Sequence, residues 1–251
     1  MLVVLKTNSA YSYLWPIIND TTKSFSKICL LTNQTNNFEF NHNLDIRLYN
    51  QTDTYTKRLL KFLELIDDEY VLLTHDVDLI INFNHEKIKK YLEVIKSNSI
   101  GRLSLGVFTG EEKIQKETVE ICKLHWNISR NFLTPFDYAP SIYNRKKLIE
   151  LYSKFPNESY QALEHNQEVQ NHVAENMNPY GISKNDSIEL VYHRGFVYTK
   201  DFDFLHITIK GKLLKDNLYF DHKDTSNNLI EKYNLGFLER EDSPYIQKNE
   251  L

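Results

Sequence analysis

The chain has 251 residues, 41% hydrophobic and 25% charged, with 7 Gly and 6 Pro, proportions that exclude collagen-like, low-complexity and wholly disordered chains. A formal charge of -4, from 30 basic and 34 acidic residues, argues against a broad nucleic-acid footprint, so no nucleic-acid partner is expected. Such a length buries a substantial core, and with no internal repeat or linker the chain reads as one domain with a less regular tail.

Cys29 and Cys122 are the only cysteines, so no Cys-based zinc site can be built within one chain. Each sits in a mostly apolar run and is expected to be a buried free thiol in a reducing compartment, which points to the cytoplasm. Met1 to Leu5 gives five apolar residues before Lys6, too short for a signal-peptide core. No later stretch reaches about 18 apolar residues, so no integral membrane segment is expected, only a soluble protein with at most peripheral membrane association.

In chain order, residues 2–5 read as a short strand. Residues 11–23 read as a helix carrying Leu14, Trp15, Ile17 and Ile18, with Pro16 early, where a helix tolerates it. Residues 28–31 and 45–48 read as further strands. Residues 54–66 form an amphipathic pattern through Leu59, Leu60, Phe62, Leu63, Leu65 and Ile66, with Asp53 or Thr54 as N-cap. The continuous apolar run 70–74 is that of a buried parallel strand; it ends in His75-Asp76-Val77-Asp78 and restarts at Leu79-Ile80-Ile81. A helix over 85–96 and a strand over 100–108 follow. Strands separated by helices in this way predict βαβ units and an α/β fold: a mostly parallel central sheet with helices on both faces. Helices are predicted over 146–154 and 159–176 and strands over 188–198 and 205–214. From about residue 222 the charge is high and the spacing irregular, so a tail that wraps the domain or moves is expected.

In open α/β sheets ligands bind outside the carboxyl ends of the strands, where Asp76 and Asp78 fall. Two carboxylates so close repel unless a cation lies between them, and Mg²⁺ or Mn²⁺ takes one or two carboxylates together with phosphate oxygens and water. The same spacing also suits a solvated turn with capping duties.

The stretch "TKRLLKFLELIDDEYVLLTHDVDLII" followed by a further helix resembles the core of nucleotide-sugar-dependent glycosyltransferases of the GT-A fold, in which an acidic D-x-D after a central strand binds a divalent metal. "IGRLSLG" is similar to the next strand of such enzymes, and "FDYAPSIYNRKKLIELYSKFPNESYQALEHNQE" resembles the acceptor-side segment of small viral and bacterial members. The resemblance covers roughly residues 2–215. It implies a GT-A fold with a nucleotide-sugar-binding half over about 1–110, an acceptor-side half over about 111–221 and a tail over 222–251. It implies that Asp76 and Asp78 hold Mn²⁺ or Mg²⁺ on the diphosphate of a nucleoside-diphosphate sugar donor, the acceptor being a glycan or other hydroxyl. Glu164 matches the carboxylate that acts as base in inverting members, with Asp137 the next candidate.

Thr7 and Asn8 follow the first strand, where such enzymes receive the base and ribose, and also make an ordinary polar loop. Lys57 and Arg58 begin the helix before the acidic turn, within reach of a nucleotide or diphosphate or on a solvated face. His165, Glu168 and His172 fall at i, i+3 and i+7 on one helical face, a weak zinc signature without H-E-x-x-H spacing, for which chance or a Glu168–His172 contact is the plainer reading. His193-Arg194-Gly195, Lys210-Gly211-Lys212, His206 and His222 could close over a diphosphate or complete a metal shell. Trp126, Phe132, Phe136, Tyr138 and Tyr160 offer aromatic faces for a sugar or for the core. No G-x-x-x-x-G-K-[ST] or G-x-G-x-x-G occurs, so P-loop and Rossmann dinucleotide readings have no support. The alternatives are a sugar nucleotidyltransferase, which would carry a Gly-rich basic loop where "LKTNSAYSYLW" stands, and a non-catalytic carbohydrate-binding protein of the same fold.

Overall fold

A computed structural model describes residues 1–35, 37–40, 44–75, 78–125, 135–186, 189–193, 196–206, 208–209, 212–213 and 223–233. Asp76, Trp126, Phe132, Arg194, Gly195, Lys210, Gly211 and His222 lie outside them.

The apolar runs form strands β1 (Leu2–Lys6), β2 (Ile28–Thr32), β3 (Asp45–Leu48) and β4 (Tyr70–His75). β1, β2 and β4 are buried along their whole length, as strands covered on both faces must be. β5 (Asp78–Phe83) leaves this sheet. β6 (Arg102–Phe108), β7 (Lys113–Lys116), β8 (Val119–Lys123), β9 (Ser141–Asn144) and β10 (Pro179–Ser183) complete it. Among the described residues the order is β3-β2-β1-β4-β9-β6-β10-β8-β7. All of its strands run one way except β9, reversed between β4 and β6, and β8.

Successive residues of β1 serve opposite faces. Leu2 and Val4 meet helices α2 (Tyr55–Glu64), α4 (Arg145–Lys154) and α6 (Gln167–Asn176) through Leu59, Phe62, Leu148, Leu151, Val169 and Val173. Val3 joins the core beneath α3 (His85–Ser97), with Ile88, Tyr91 and Val94, and Leu5 packs against α1 (Trp15–Thr21). The α/β class with helices on both faces is therefore as the sequence predicts. No helix among the described residues is long and apolar enough to cross a membrane.

A second sheet, in the order β11-β12-β13-β5, joins β11 (Leu190–His193), β12 (Phe196–Thr199) and β13 (Phe202–His206) to β5. The strand expected over 188–198 is thus a hairpin. The one expected over 205–214 resolves into β13 and a short β14 (Thr208–Ile209) and β15 (Lys212–Leu213) pair. The helix expected over 11–23 begins as a 3₁₀ turn, Ser9–Leu14, before Pro16 opens α1. The helix expected over 159–176 is two, α5 (Tyr160–His165) and α6, because Asn166 is extended and its side chain accepts from the Glu168 N–H to cap the second. The tail begins with α7 (Lys223–Lys232), and Leu229 and Tyr233 pack beside α1 while Lys232 and Tyr233 bond Asp20.

Cys29 and Cys122 are buried free thiols; burial raises them to about 12 and about 11. Gly101, just before β6, donates to Met177 O at 2.6 Å and accepts from Asn144 N at 2.9 Å. A Cβ there would lie 2.6 Å from that same carbonyl oxygen, a backbone atom with no room to move. Gly101→Ala should therefore destabilise the fold by about 1–3 kcal/mol, read as a fall in the urea midpoint at unchanged slope.

Candidate active site

The parallel register of β1 with β4 places Lys6 opposite His75, so both side chains leave the sheet at the same carboxyl edge. Lys6 is buried, its Nζ 4.9 Å from the centre of the Tyr55 ring and 5.5 Å from that of Tyr49. Arg58 lies against Tyr49 as well, its Cζ 4.7 Å from the ring centre. Two cations against one tyrosine ring make this corner electropositive. Lys57, by contrast, is exposed, and its N–H donates to the N-cap Thr54.

Thr7 and Asn8 are buried at the end of β1 and hold the rim together. Trp15 Nε1 donates to Thr7 Oγ1 at 3.1 Å, the Tyr49 hydroxyl donates to Thr7 O at 2.9 Å, and Asn8 Nδ2 donates to the Tyr49 hydroxyl at 3.2 Å. Asn8 Oδ1 accepts from Ala10 N at 2.9 Å and so caps the 3₁₀ turn. His75 stacks parallel to Tyr55, with the Tyr55 hydroxyl 3.2 Å from His75 Nε2. Tyr138 stands edge-on to both rings, its centre 5.4 Å from that of Tyr55 and 5.6 Å from that of His75.

Reversal of β9 is what brings Tyr138 here. Because β9 runs against β4, with Ser141 opposite Leu73, the beginning of β9 lies where β4 ends. The segment 135–141 therefore delivers Asp137 and Tyr138 to the carboxyl edge. Glu164 comes from α5 and its Oε1 accepts from the Tyr138 N–H at 2.9 Å. Burial raises the Glu164 carboxyl above the ordinary glutamate range; the Tyr138 N–H opposes this and Asp137 adds to it. The two candidate bases thus stand together but differ in engagement. Asp137 Oδ1 is held by Arg102 Nη2 at 2.5 Å and by Ala139 N at 2.9 Å.

Asp78 opens β5, and its register partner across the second sheet is His206. Tyr198, buried on β12, has its phenol pushed far above the ordinary range by burial first and then by the charges of Asp78, Asp137 and Asp203. Asp78 and Asp137 thus act on one buried phenol. Among the described residues no group of three His, Cys, Asp or Glu could hold a metal ion. A hard divalent ion shared with phosphate needs only one or two protein carboxylates, so the donor type at Asp78 fits Mg²⁺ or Mn²⁺. Zinc at His165, Glu168 and His172 is not supported, because the break at Asn166 takes His165 off the helix carrying the other two. A surface cavity of about 270 Å³ at Asn84, Glu86, Lys87, Lys90 and Thr118 shares no residue with this edge.

Nothing in the sequence marks Tyr49, Tyr55, Arg102 or Tyr198 as part of this edge, whereas Lys6 and His75 carry a signal as polar residues that close apolar strands.

Because Glu164 ionises less readily folded than unfolded, the folded state holds its proton at a pH where the unfolded chain has lost it. Stability is therefore lost as pH rises from the ordinary glutamate range through the raised folded value. Glu164→Gln, which keeps an oxygen for the Tyr138 N–H, should raise the Tm at pH 8 and leave it nearly unchanged at pH 4. Melting curves at both pH values check this.

No family model matches the chain, and no curated protein matches it. Among solved structures it is similar to 2-C-methyl-D-erythritol 4-phosphate cytidylyltransferase (IspD) of Francisella tularensis, with TM-score 0.47 and 14% identity over 90% of this chain and 99% of that one. It is similar to the bifunctional IspDF of Campylobacter jejuni, with TM-score 0.42 and 16% identity over 73% of this chain and 50% of that one. It is also similar to S. aureus TarS 1-349 in complex with UDP-GlcNAc, with TM-score 0.42 and 11% identity over 79% of this chain and 58% of that one. The chain thus spans about half the length of the IspDF and TarS chains it matches. Likeness at this level assigns no activity to this chain.

Proposed function

We propose that the protein is a metal-dependent glycosyltransferase that moves a sugar from a nucleoside-diphosphate sugar to a hydroxyl acceptor, a glycan hydroxyl by preference. The observation that carries this reading is the composition of one strand edge. It gathers the carboxylate of Asp78 at the start of β5, two cations against the Tyr49 ring, and a half-buried carboxylate, Glu164, held by the Tyr138 N–H.

The donor lies across the carboxyl ends of β1 and β4, with its base and ribose toward Thr7 and Asn8 and its diphosphate toward Asp78. Lys6 and Arg58 offset the phosphate charge, and Lys57 adds to the field from the exposed face of α2. Asp78, with Asp76 beside it in sequence, would hold Mn²⁺ or Mg²⁺, and the bound ion supplies a Lewis acid that neutralises charge on the leaving diphosphate. Tyr55 and His75 pack against the ring of Tyr138, whose backbone holds Glu164. Glu164 Oε1 is fixed by the Tyr138 N–H, so Oε2 is the atom that takes the proton from the acceptor hydroxyl. The acceptor oxygen bonds to the anomeric carbon as the carbon–phosphate-oxygen bond breaks, and the configuration inverts.

A sugar nucleotidyltransferase is disfavoured by the turn after β1. Residues 7–14 hold no glycine and wind into the capped 3₁₀ turn, where that chemistry uses glycine amides to cradle a triphosphate. A non-catalytic sugar-binding protein would bind the donor without slowly hydrolysing it in metal, which separates that reading from this one.

In calorimetry with Mn²⁺, Asp78→Asn should weaken nucleoside-diphosphate binding by about tenfold or more with the fold intact. Equal affinity for wild type and variant, with and without chelator, would remove the metal role. Glu164→Gln should cut transfer by on the order of 10²–10⁴-fold with donor affinity nearly unchanged, the wild-type product being inverted. Near-normal turnover in that variant, or a product that retains configuration, contradicts the assignment of the base.

A further inference from the structure

Arg102, the first residue of β6, is fully buried, and the hydrogen bonds of its guanidinium go to one short segment. Nη1 donates to Pro135 O, and Nη2 reaches Asp137 O at 3.3 Å, Asp137 Oδ1 at 2.5 Å and Ser141 Oγ at 3.1 Å. Phe136 and Tyr143 flank the guanidinium, with ring centres 5.8 and 5.9 Å from Cζ. From the other side, Gln170 of α6 clamps the same segment. Its Oε1 accepts from Phe136 N at 2.9 Å, and its Nε2 donates to Phe136 O and to Glu164 O, both at 2.7 Å. Between these two fastenings stands the Tyr138 N–H that Glu164 accepts.

We propose that Arg102 is a positioning residue of this site: it fastens segment 135–141 to β6 and neutralises Asp137, so that the Tyr138 N–H is presented to Glu164 and only Glu164 is left to meet an acceptor hydroxyl. The inference rests on the transferase reading above and adds to it the group that decides between two adjacent carboxylates. The fork of a guanidinium suits the task, because it bonds two backbone carbonyls, a carboxylate and a hydroxyl at fixed angles, which a lysine ammonium cannot reproduce. A buried ion pair of this kind gives little net stability against an apolar replacement, and its use lies in fixing position.

The charged groups that act on Glu164 are Asp137, which disfavours its ionisation, and His165 and Arg102, which favour it. Two substitutions therefore have opposite signs. Asp137→Asn removes a negative neighbour while keeping an oxygen for Ala139 N and Arg102, so Glu164 should titrate at lower pH. Arg102→Met removes the cation and leaves Asp137 unneutralised, so Glu164 should titrate at higher pH. Arg102→Lys keeps the charge but not the fork. It should leave the titration near that of wild type while lowering kcat on the order of 10–10²-fold at similar donor KM.

The experiment is a ¹³C-carboxyl NMR titration of Glu164, its resonance assigned by loss in Glu164→Gln, in wild type and the three variants, with kcat and donor KM beside it. Opposite shifts in Asp137→Asn and Arg102→Met, with kcat lost in Arg102→Lys, support the proposal. If Arg102→Met does not fold, Asp137→Asn and Arg102→Lys decide it by the same criteria. Coincident titrations in the folded variants, or wild-type kcat in Arg102→Lys, overturn it. A wild type that turns over no nucleotide sugar would instead defeat the transferase reading, and the titration would still judge the electrostatic half of this inference.

Discussion

Parallel pairing of β1 with β4 is the constraint on which the rest of the site depends. Both strands are buried on both faces, and each fully buried Val or Leu contributes about 1.5–3 kcal/mol. A slip of one residue would turn Leu2 and Val4 toward α1 and α3, and Val3 and Leu5 toward α2, α4 and α6, mismatching both cores at once. The register therefore has little freedom, and with it goes the position of Lys6 opposite His75. Everything else at that edge is added by direction. β9 runs backwards beside β4 and so starts where its neighbours end, and the chain that follows returns as α4, α5 and α6 beneath the same edge.

Charge at this edge is arranged by burial as much as by distance. Arg102 is sealed behind segment 135–141, and its Nε finds no hydrogen-bond partner among the described residues, so the guanidinium is committed to that segment at some desolvation cost. Lys6 and Arg58 are placed differently, against tyrosine rings, with Arg58 also donating to the carbonyls of Asp53 and Gln51. Burial first, and then the charges of Asp78, Asp137 and Asp203, hold the Tyr198 phenol protonated. Glu164 sits between the two regimes: covered enough to hold its proton more tightly than usual, and fixed by one backbone N–H.

The parts of the fold legible in the sequence are those where one local pattern decides the structure. β1, β2 and β4 are continuous apolar runs, α2 has its apolar stripe and its Thr54 cap, and α3 has both stripe and cap. The β7–β8 hairpin was not legible, because β7 is a largely exposed edge strand whose pattern comes from pairing alone. β9 is four residues long and is made a strand by the two neighbours it lies between. The break at Asn166 is a single capping residue within an otherwise helical pattern, and it decides whether His165 and His172 share a face. Of the candidate site residues, Asp78 is marked locally, as a carboxylate just after an apolar strand, whereas Glu164 is marked only through the family resemblance, with Asp137 following it as the next candidate. Arg102 is not marked, since nothing in "IGRLSLG" distinguishes a sealed guanidinium from a solvated one; its role is set by a segment more than thirty residues away.

The proposed function requires that a nucleoside diphosphate bind at the carboxyl edge of β1 and β4 beside Asp78. A crystal structure of the protein with a nucleoside diphosphate and Mn²⁺ tests it most directly. Diphosphate density is expected between Asp78 and the Lys6–Tyr49–Arg58 corner, with an anomalous metal peak within bonding distance of an Asp78 oxygen and Glu164 on the open side of the diphosphate. A ligand bound elsewhere, or a diphosphate at this edge with no metal on Asp78, would contradict it.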